Sequence, residues 1–219
     1  MDFGRAFTYA FDDKEWVTKL LIGGILSLIP IVNLVVLGYT LKTLKNVADG
    51  VEPPLPGWDD FADYFVKGLI SCLGIVVWAI PILAVAGMFA VLGLVAEYDP
   101  GYGYEGPVNL CFLGLNCLSL LYGLFLSVVL PAALTGYALT DEFGAFFRFG
   151  EIFRFIKSNL GNYVMAILLA LVAQFVAGFG VILCFIGVVF TEFWAGLVGA
   201  HLFGQVYHDS TLAEPEVAA

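Results

Sequence analysis

WVTKLLIGGILSLIPIVNLVVLGYT, residues 16–40, decides how this chain folds. The stretch is largely apolar and is interrupted at Pro30, where a helix interior would need an N–H that proline lacks, and at Asn33, which tolerates turn geometry. It is either one kinked helix or a hairpin of two short legs. The rest of the chain identifies the solvent. Of 219 residues, 61% are hydrophobic and 13% charged, against about 45–50% and about 25% in soluble domains. Several further apolar blocks exceed the roughly 20 residues that one helix needs to cross hydrocarbon. This composition excludes an ordinary water-soluble fold and predicts an all-α, polytopic membrane protein.

The basic residues choose between kink and hairpin. Arg5, Lys14 and Lys19 lie at or before the start of the stretch, Lys42, Lys45 and Lys67 flank a proline-rich segment, and Arg148, Arg154 and Lys157 come later. With a hairpin at residues 16–48, all nine fall on one face of the membrane, which the positive-inside rule assigns to the cytoplasm. One kinked span would strand the first three outside. The hairpin is therefore the reading adopted, although legs of about 14 residues reach only about 21 Å at 1.5 Å per residue. Such a hairpin is re-entrant or barely spanning.

Working outward, residues 1–15 place Phe3, Phe7 and Phe11 at spacing four beside Ala6 and Ala10, the pattern of a helix lying in the interface. Residues 49–60 carry GVEPPLPGW, which cannot be regular helix and reads as a cytoplasmic loop ending in the helix caps Asp59 and Asp60. Residues 61–139 form a long hairpin, with Pro81 as a kink and EYDPGYGYEGP as its polar turn. Residues 141–159 make a second interfacial helix, with Phe143, Phe146, Phe147 and Phe153 on one side. A last hairpin spans 160–208, its legs separated by Cys184 and Phe185, and 209–219 is an acidic tail expected to be disordered. The expected architecture is a single membrane domain, residues 1–210, of about six apolar helices in three hairpins plus two interfacial helices. The stretch FGRAFTYAF at Phe3 and FGEIFRF at Phe149 keep phenylalanine and glycine at one constant offset, each leading into a hairpin, which points to a parallel internal repeat.

Nineteen acidic residues against nine basic ones give a net charge of -10, which argues against nucleic acid as a partner and suits a salt-rich cytoplasm. Cys72, Cys111, Cys117 and Cys184 lie in apolar blocks with no Cys-x-x-Cys pair, so they read as small apolar side chains. No cleavable signal peptide is expected, because the first charged cluster comes before any apolar run.

Glu192 is the sharpest functional candidate, since an ionised carboxylate within a span costs about 2.5–3.5 kcal/mol unless it is paired or reaches water. Asn116, Gln174 and His201 are further polar residues within spans, readable either as interhelical hydrogen bonds or as a polar pathway shared with Glu192. Ala195, Gly196, Gly199, Ala200 and Gly204 form overlapping small-x-x-x-small patterns for close helix packing, within the chain or against a second copy. Asp59, Asp60 and Asp63 resemble a short magnesium-binding pattern, but no second acidic cluster accompanies them, and capping accounts for them. With no complete protease, esterase, phosphate-loop or metal motif, no enzyme activity, cofactor or metal is expected. Three functions compete: a non-catalytic component binding membrane lipid, a protein partner or a second copy; a small transporter or channel using Glu192; and, third, an intramembrane enzyme.

LIGGILSLIPIVNLVVLGY, PLPGWDDFADYFVKGL, RFGEIFRFIKSNLGNY and AHLFGQVYHD, taken in order, resemble the prokaryotic membrane family known as domain of unknown function 4013. The likeness runs from Phe7 to His208 and is most specific at Pro30 to Asn33 and at PLPxWDD. The resemblance implies a polytopic membrane protein found largely in archaea and carries over no catalytic residues. Single cysteines at Gly103, Ser158 and Ala219 check the topology: an impermeant thiol reagent added to intact cells labels Gly103→Cys and leaves the other two unlabelled.

Overall fold

A computed structural model describes residues 2–98, 107–182 and 186–213, and those are all helices and short connections. The helices are α1 (Phe3–Asp12), α2 (Trp16–Ser27), α3 (Asn33–Ala48), α4 (Phe61–Tyr98), α5 (Pro107–Thr140), α6 (Phe149–Ser158), α7 (Leu160–Gly178) and α8 (Ile186–Ala213). The break at Pro30 separates α2 from α3, so residues 16–48 form the hairpin and not one kinked span. Among the described residues, four stretches are long and apolar enough to cross a membrane: Phe61–Val91, Leu113–Thr140, Leu160–Ile182 and Gly187–Leu212. The polar turn of the long hairpin, the break at Cys184 and Phe185, and residues 214–219 lie outside the described residues.

The chain divides into two compact units, 1–72 with 131–219, and 73–130. In the larger unit α8 is the central helix. In its most apolar stretch 56% is buried, against 17–22% in the other three spans, whose leucines and phenylalanines face outward as a lipid-exposed belt requires. The short hairpin lies along α8, with Gly23 against the ring of Phe193 and Gly24 against Phe190, where any side chain would collide. Helix α3 crosses α4 just as closely. A Cβ on Gly38 would sit 1.9 Å from the Tyr64 carbonyl oxygen, and one on Gly68 1.8 Å from that of Leu34. In the smaller unit Tyr122 donates to the Trp78 carbonyl at 2.8 Å, one residue beyond the Val77 carbonyl that Pro81 cannot serve. Helix α4 continues through that proline.

The segment expected to be a cytoplasmic loop is a plug tethered to three helices, buried at its centre and exposed at its ends. Pro54 and Leu55 are buried, and four successive carbonyls each accept a side-chain hydrogen bond. Asn46 donates to Pro54 at 2.8 Å, Lys19 Nζ to Leu55 at 3.1 Å, the Tyr39 hydroxyl to Pro56 at 2.9 Å and the Tyr64 hydroxyl to Gly57 at 2.8 Å. Trp58 stacks on Tyr39 at 4.1 Å and donates its indole N–H to the Lys19 carbonyl at 3.3 Å. Prolines cannot close a helix around these carbonyls, so donors on α2, α3 and α4 meet them.

Two further expectations change. The second interfacial helix is not continuous over 141–159: Asp141 adopts a positive φ of 56°, Phe143–Phe147 is a 3₁₀ turn, and Arg148 lies outside helical geometry before α6 begins. Helix α6 buries Ile152 and Ile156 and leaves Phe149 and Phe153 exposed, which keeps the apolar outer face an interfacial helix needs. The acidic tail does not start at 209, because α8 runs on to Ala213. Both α1 and α6 are ten-residue helices opening on Phe-Gly, as the repeat anticipates.

Lys19 enters the plug as a buried cation paired with Asp13 at 2.6 Å. Burial pushes the Asp13 carboxyl up, but the Lys19 hydrogen bond, the Glu15 N–H and the Lys19 charge together hold it below the usual carboxylate range. A lowered folded pKa stabilises above the unfolded value of about 3.9, and that contribution is lost as pH falls through the folded value. Asp13→Asn should therefore cost about 3–5 kcal/mol near neutral pH, by leaving a buried lysine without its counter-ion. Thermal unfolding in detergent from pH 7 down to pH 2 checks this: the variant starts lower and loses less on acidification than the parent. The residual loss is expected from Asp141, whose carboxyl burial pushes up but the hydrogen bonds and charges of Lys45 and Lys67 together hold low.

Candidate functional site

Glu192 and His201 do not share one pathway. Glu192 and Gln174 come together, with the Gln174 amide donating to Glu192 Oε2 across α7 and α8. Beside them Thr191 donates to the Ala177 carbonyl at 2.7 Å, so the facing ends of the two helices are joined by side chains as well as by packing. His201 lies on the same helix as Glu192 but nine residues away, in a different cavity. Asn116 belongs to the smaller unit.

Glu192 lines a crevice of about 600 Å³ between the tip of the short hairpin and α8. Its walls are mostly aliphatic, with Leu34, Leu37, Val188 and Val189 facing Pro30 and Asn33, while Ser27 and Thr40 add hydroxyls. Ser27 donates to Gly23 at 2.8 Å and Thr40 to Val36 at 2.9 Å, so neither hydroxyl has a proton free for a ligand. Because Pro30 and Asn33 reach the level of Val188 and Glu192, the hairpin tip comes within about two turns of the start of α8.

The small-residue stripe splits along α8. Ala195 and Ala200 are buried, and Gly204 admits α3 so closely that a Cβ there would sit 2.8 Å from the Leu44 carbonyl oxygen. Gly196 and Gly199 meet nothing within 4 Å, because Gly196 borders the crevice instead of a helix. The close approaches at Gly23, Gly24, Gly38 and Gly68 escaped the sequence reading, since each needs a partner that is distant in the chain.

A second cavity, about 240 Å³, lies at the other end of α8 among Arg5, Glu52, His201, Gln205 and His208. His201 is buried and stacks on Tyr9 at 4.2 Å, and Tyr9 in turn donates its hydroxyl to the Leu197 carbonyl at 2.9 Å. His208 Nδ1 donates to the Ala48 carbonyl at 3.0 Å, and Arg5 pairs with Glu52 at 2.8 Å. Gln205 was not singled out from sequence. Its spacing of four from His201, which puts both on one helix face, is the signal that marks it. Asp63 pairs with Lys67 at 3.3 Å while Asp59 and Asp60 are exposed, an arrangement that serves the start of α4.

Among the described residues the fold is all-helical, and four helices long and apolar enough to cross a membrane make it consistent with a membrane protein. The chain belongs to the family described as protein of unknown function DUF4013, whose model matches residues 22–186. It is similar to an uncharacterized protein, MJ1189, of Methanocaldococcus jannaschii, being 28% identical over 180 residues, or 80% of this chain. The chain spans 59% of that relative's length. No solved structure matches.

If Gln174 and Glu192 satisfy each other, removing either should cost more than removing both. Gln174→Leu alone leaves a carboxyl group in hydrocarbon without its donor, a loss of about 1–3 kcal/mol, and Gln174→Leu with Glu192→Leu should recover most of it. Unfolding midpoints of the two single variants and the double variant measure the coupling.

Proposed function

We propose that this chain is a non-catalytic integral component of the cell membrane that binds lipid through the crevice at Glu192, with both termini on the cytoplasmic face. The observation that carries the reading is the crevice itself. Its aliphatic walls suit an acyl chain, and its polar groups are largely committed within the protein. The chemistry-bearing residues Lys19, Asp13, Tyr39 and Tyr64 are likewise spent on the plug, which supports a structural role for them over a reactive one. Orientation follows from the basic residues. Lys45 and Lys67 both reach Asp141, at 3.2 and 3.3 Å, so the end of α3, the start of α4 and the end of α5 gather at one basic end. The positive-inside rule assigns that end to the cytoplasm.

A second reading is a small transporter or channel, favoured by the Gln174 and Glu192 pair, since polar groups within spans often mark solute pathways. Native mass spectrometry of protein purified gently from its own membranes separates the two. Retained lipid that is lost on Leu37→Trp, which fills the crevice, is the expected result. A retained protein partner or a homo-oligomer without lipid would move the reading to protein association. A lipid-free monomer, with a solute flux in proteoliposomes that Glu192→Gln abolishes, would establish transport in its place.

A further inference from the structure

A cavity of about 600 Å³ lies within the larger unit, where the C-terminal parts of α5, α6 and α8 meet. Each helix gives it one face. Ala132, Thr135 and Leu139 follow at spacings of three and four on α5, as do Glu151, Arg154 and Ser158 on α6, while Tyr207 and Thr211 are four apart on α8. From Leu139 to Ala132 the cavity runs about 10 Å along α5, from the end of the span toward its interior. Beside it α6 exposes Phe149 and Phe153, the apolar face with which an interfacial helix enters the headgroup region. The cavity therefore opens at the level where phospholipid headgroups lie.

The helix ends around it have already answered their own carbonyls. On α5 the Thr140 hydroxyl donates to Gly136 at 2.9 Å, the Asp141 N–H to Tyr137 at 2.8 Å and Lys45 to Leu139 at 3.4 Å. On α8 Ser210 donates to Tyr207 at 2.7 Å and Thr211 to His208 at 2.8 Å. Glu151 is engaged by Arg148 at 3.8 Å. What is left unspent is a set of donors. Arg154 lines the cavity, is exposed, and has no ion pair among the described residues. The exposed Ser158 hydroxyl and the accessible hydroxyl of the half-buried Tyr207 make no hydrogen bond among those residues either. Lys157 answers the negative end of α6, and α7 starts directly after Asn159 of the lining, which brings its positive end to the cavity's edge. A guanidinium fork with two hydroxyl donors matches the acceptor oxygens of a phosphate. We propose that this cavity seats the phosphodiester headgroup of a membrane phospholipid, with the phosphate on Arg154, Ser158 and Tyr207. The proposal rests on the reading of the chain as a lipid-binding membrane component, but not on the crevice, which lies toward the other end of α8.

Calorimetric titration of the full chain, in an uncharged detergent, with dihexanoylphosphatidylglycerol and with its phosphate-free counterpart dihexanoylglycerol tests the proposal. A net charge of -10 works against non-specific uptake of an anionic lipid, so saturable binding of the phospholipid and none of the diacylglycerol is the expected mark of a phosphate site. Arg154→Gln should weaken that binding by about tenfold or more, and Tyr207→Phe by about threefold or more. Arg154→Lys should restore only part of it, because an ammonium lacks the planar fork. Arg154 is exposed and without an ion pair, so its variants should keep the parent's unfolding midpoint, which separates lost binding from lost fold. Leu37→Trp fills the crevice and should leave this binding unchanged, so the two lipid sites fail independently. Absence of saturable phospholipid binding, equal binding of dihexanoylglycerol, or binding undiminished in Arg154→Gln would overturn the proposal. Inorganic phosphate bound as tightly as the lipid would overturn it too, by assigning the cavity to a free anion, and loss of binding in Leu37→Trp instead of Arg154→Gln would move the lipid to the crevice.

Discussion

Four successive hydrogen-bonded carbonyls, from Pro54 to Gly57, are the constraint around which the larger unit is organised. A proline-rich segment cannot pair its own backbone, and beside a bilayer an unsatisfied carbonyl costs several kcal/mol. Side chains must therefore reach it, and they come from three helices: Lys19 on α2, Tyr39 and Asn46 on α3, and Tyr64 on α4. Each bond fixes a helix relative to the plug, so a segment with no regular structure sets the positions of its regular neighbours. Lys19 brings a buried positive charge with it, which in turn requires Asp13 just beyond the end of α1.

Glycine placement completes what the plug begins. Tyr64 can reach the Gly57 carbonyl while α4 lies directly against α3 because Gly38 and Gly68 remove the side chains that would hold the helices apart. Gly23 and Gly24 do the same for the rings of Phe193 and Phe190 on α8. In lipid there is little hydrophobic gain in bringing two apolar helices together, so contacts this close, with interhelical hydrogen bonds, supply much of the attraction. The buried centre is aromatic as well as small, with Tyr39 stacked on Trp58 and in ring contact with Tyr64 and Phe193.

Helix α8 has two chemically distinct ends. Near Glu192 its surroundings are aliphatic, and one carboxylate is met by one amide. Near His201 and Gln205 they are polar, with Asp2, Arg5 and Glu52 close by. The two ends of one helix therefore differ in their surroundings only through which neighbours pack beside each turn.

By itself the sequence determined the solvent, the helices and their order. Apolar blocks of spanning length suit hydrocarbon, Pro30 with Asn33 marks a helix break, and nine basic residues fall on one side only if residues 16–48 form a hairpin. The interfacial helices were legible from phenylalanine spacing, and Glu192 from its cost in lipid. Tertiary structure alone decided that the carbonyls of Pro54 to Gly57 are met by side chains of three helices, that Gln174 meets Glu192, and that Gly204 packs while Gly196 and Gly199 stand open. It alone joined His201 and Gln205 to Arg5 and Glu52. The physical reason is the same in each case: periodicity and composition report how a residue sits on its own helix, whereas hydrogen bonds to distant carbonyls and sub-van-der-Waals approaches depend on a partner tens of residues away, whose position no local pattern encodes.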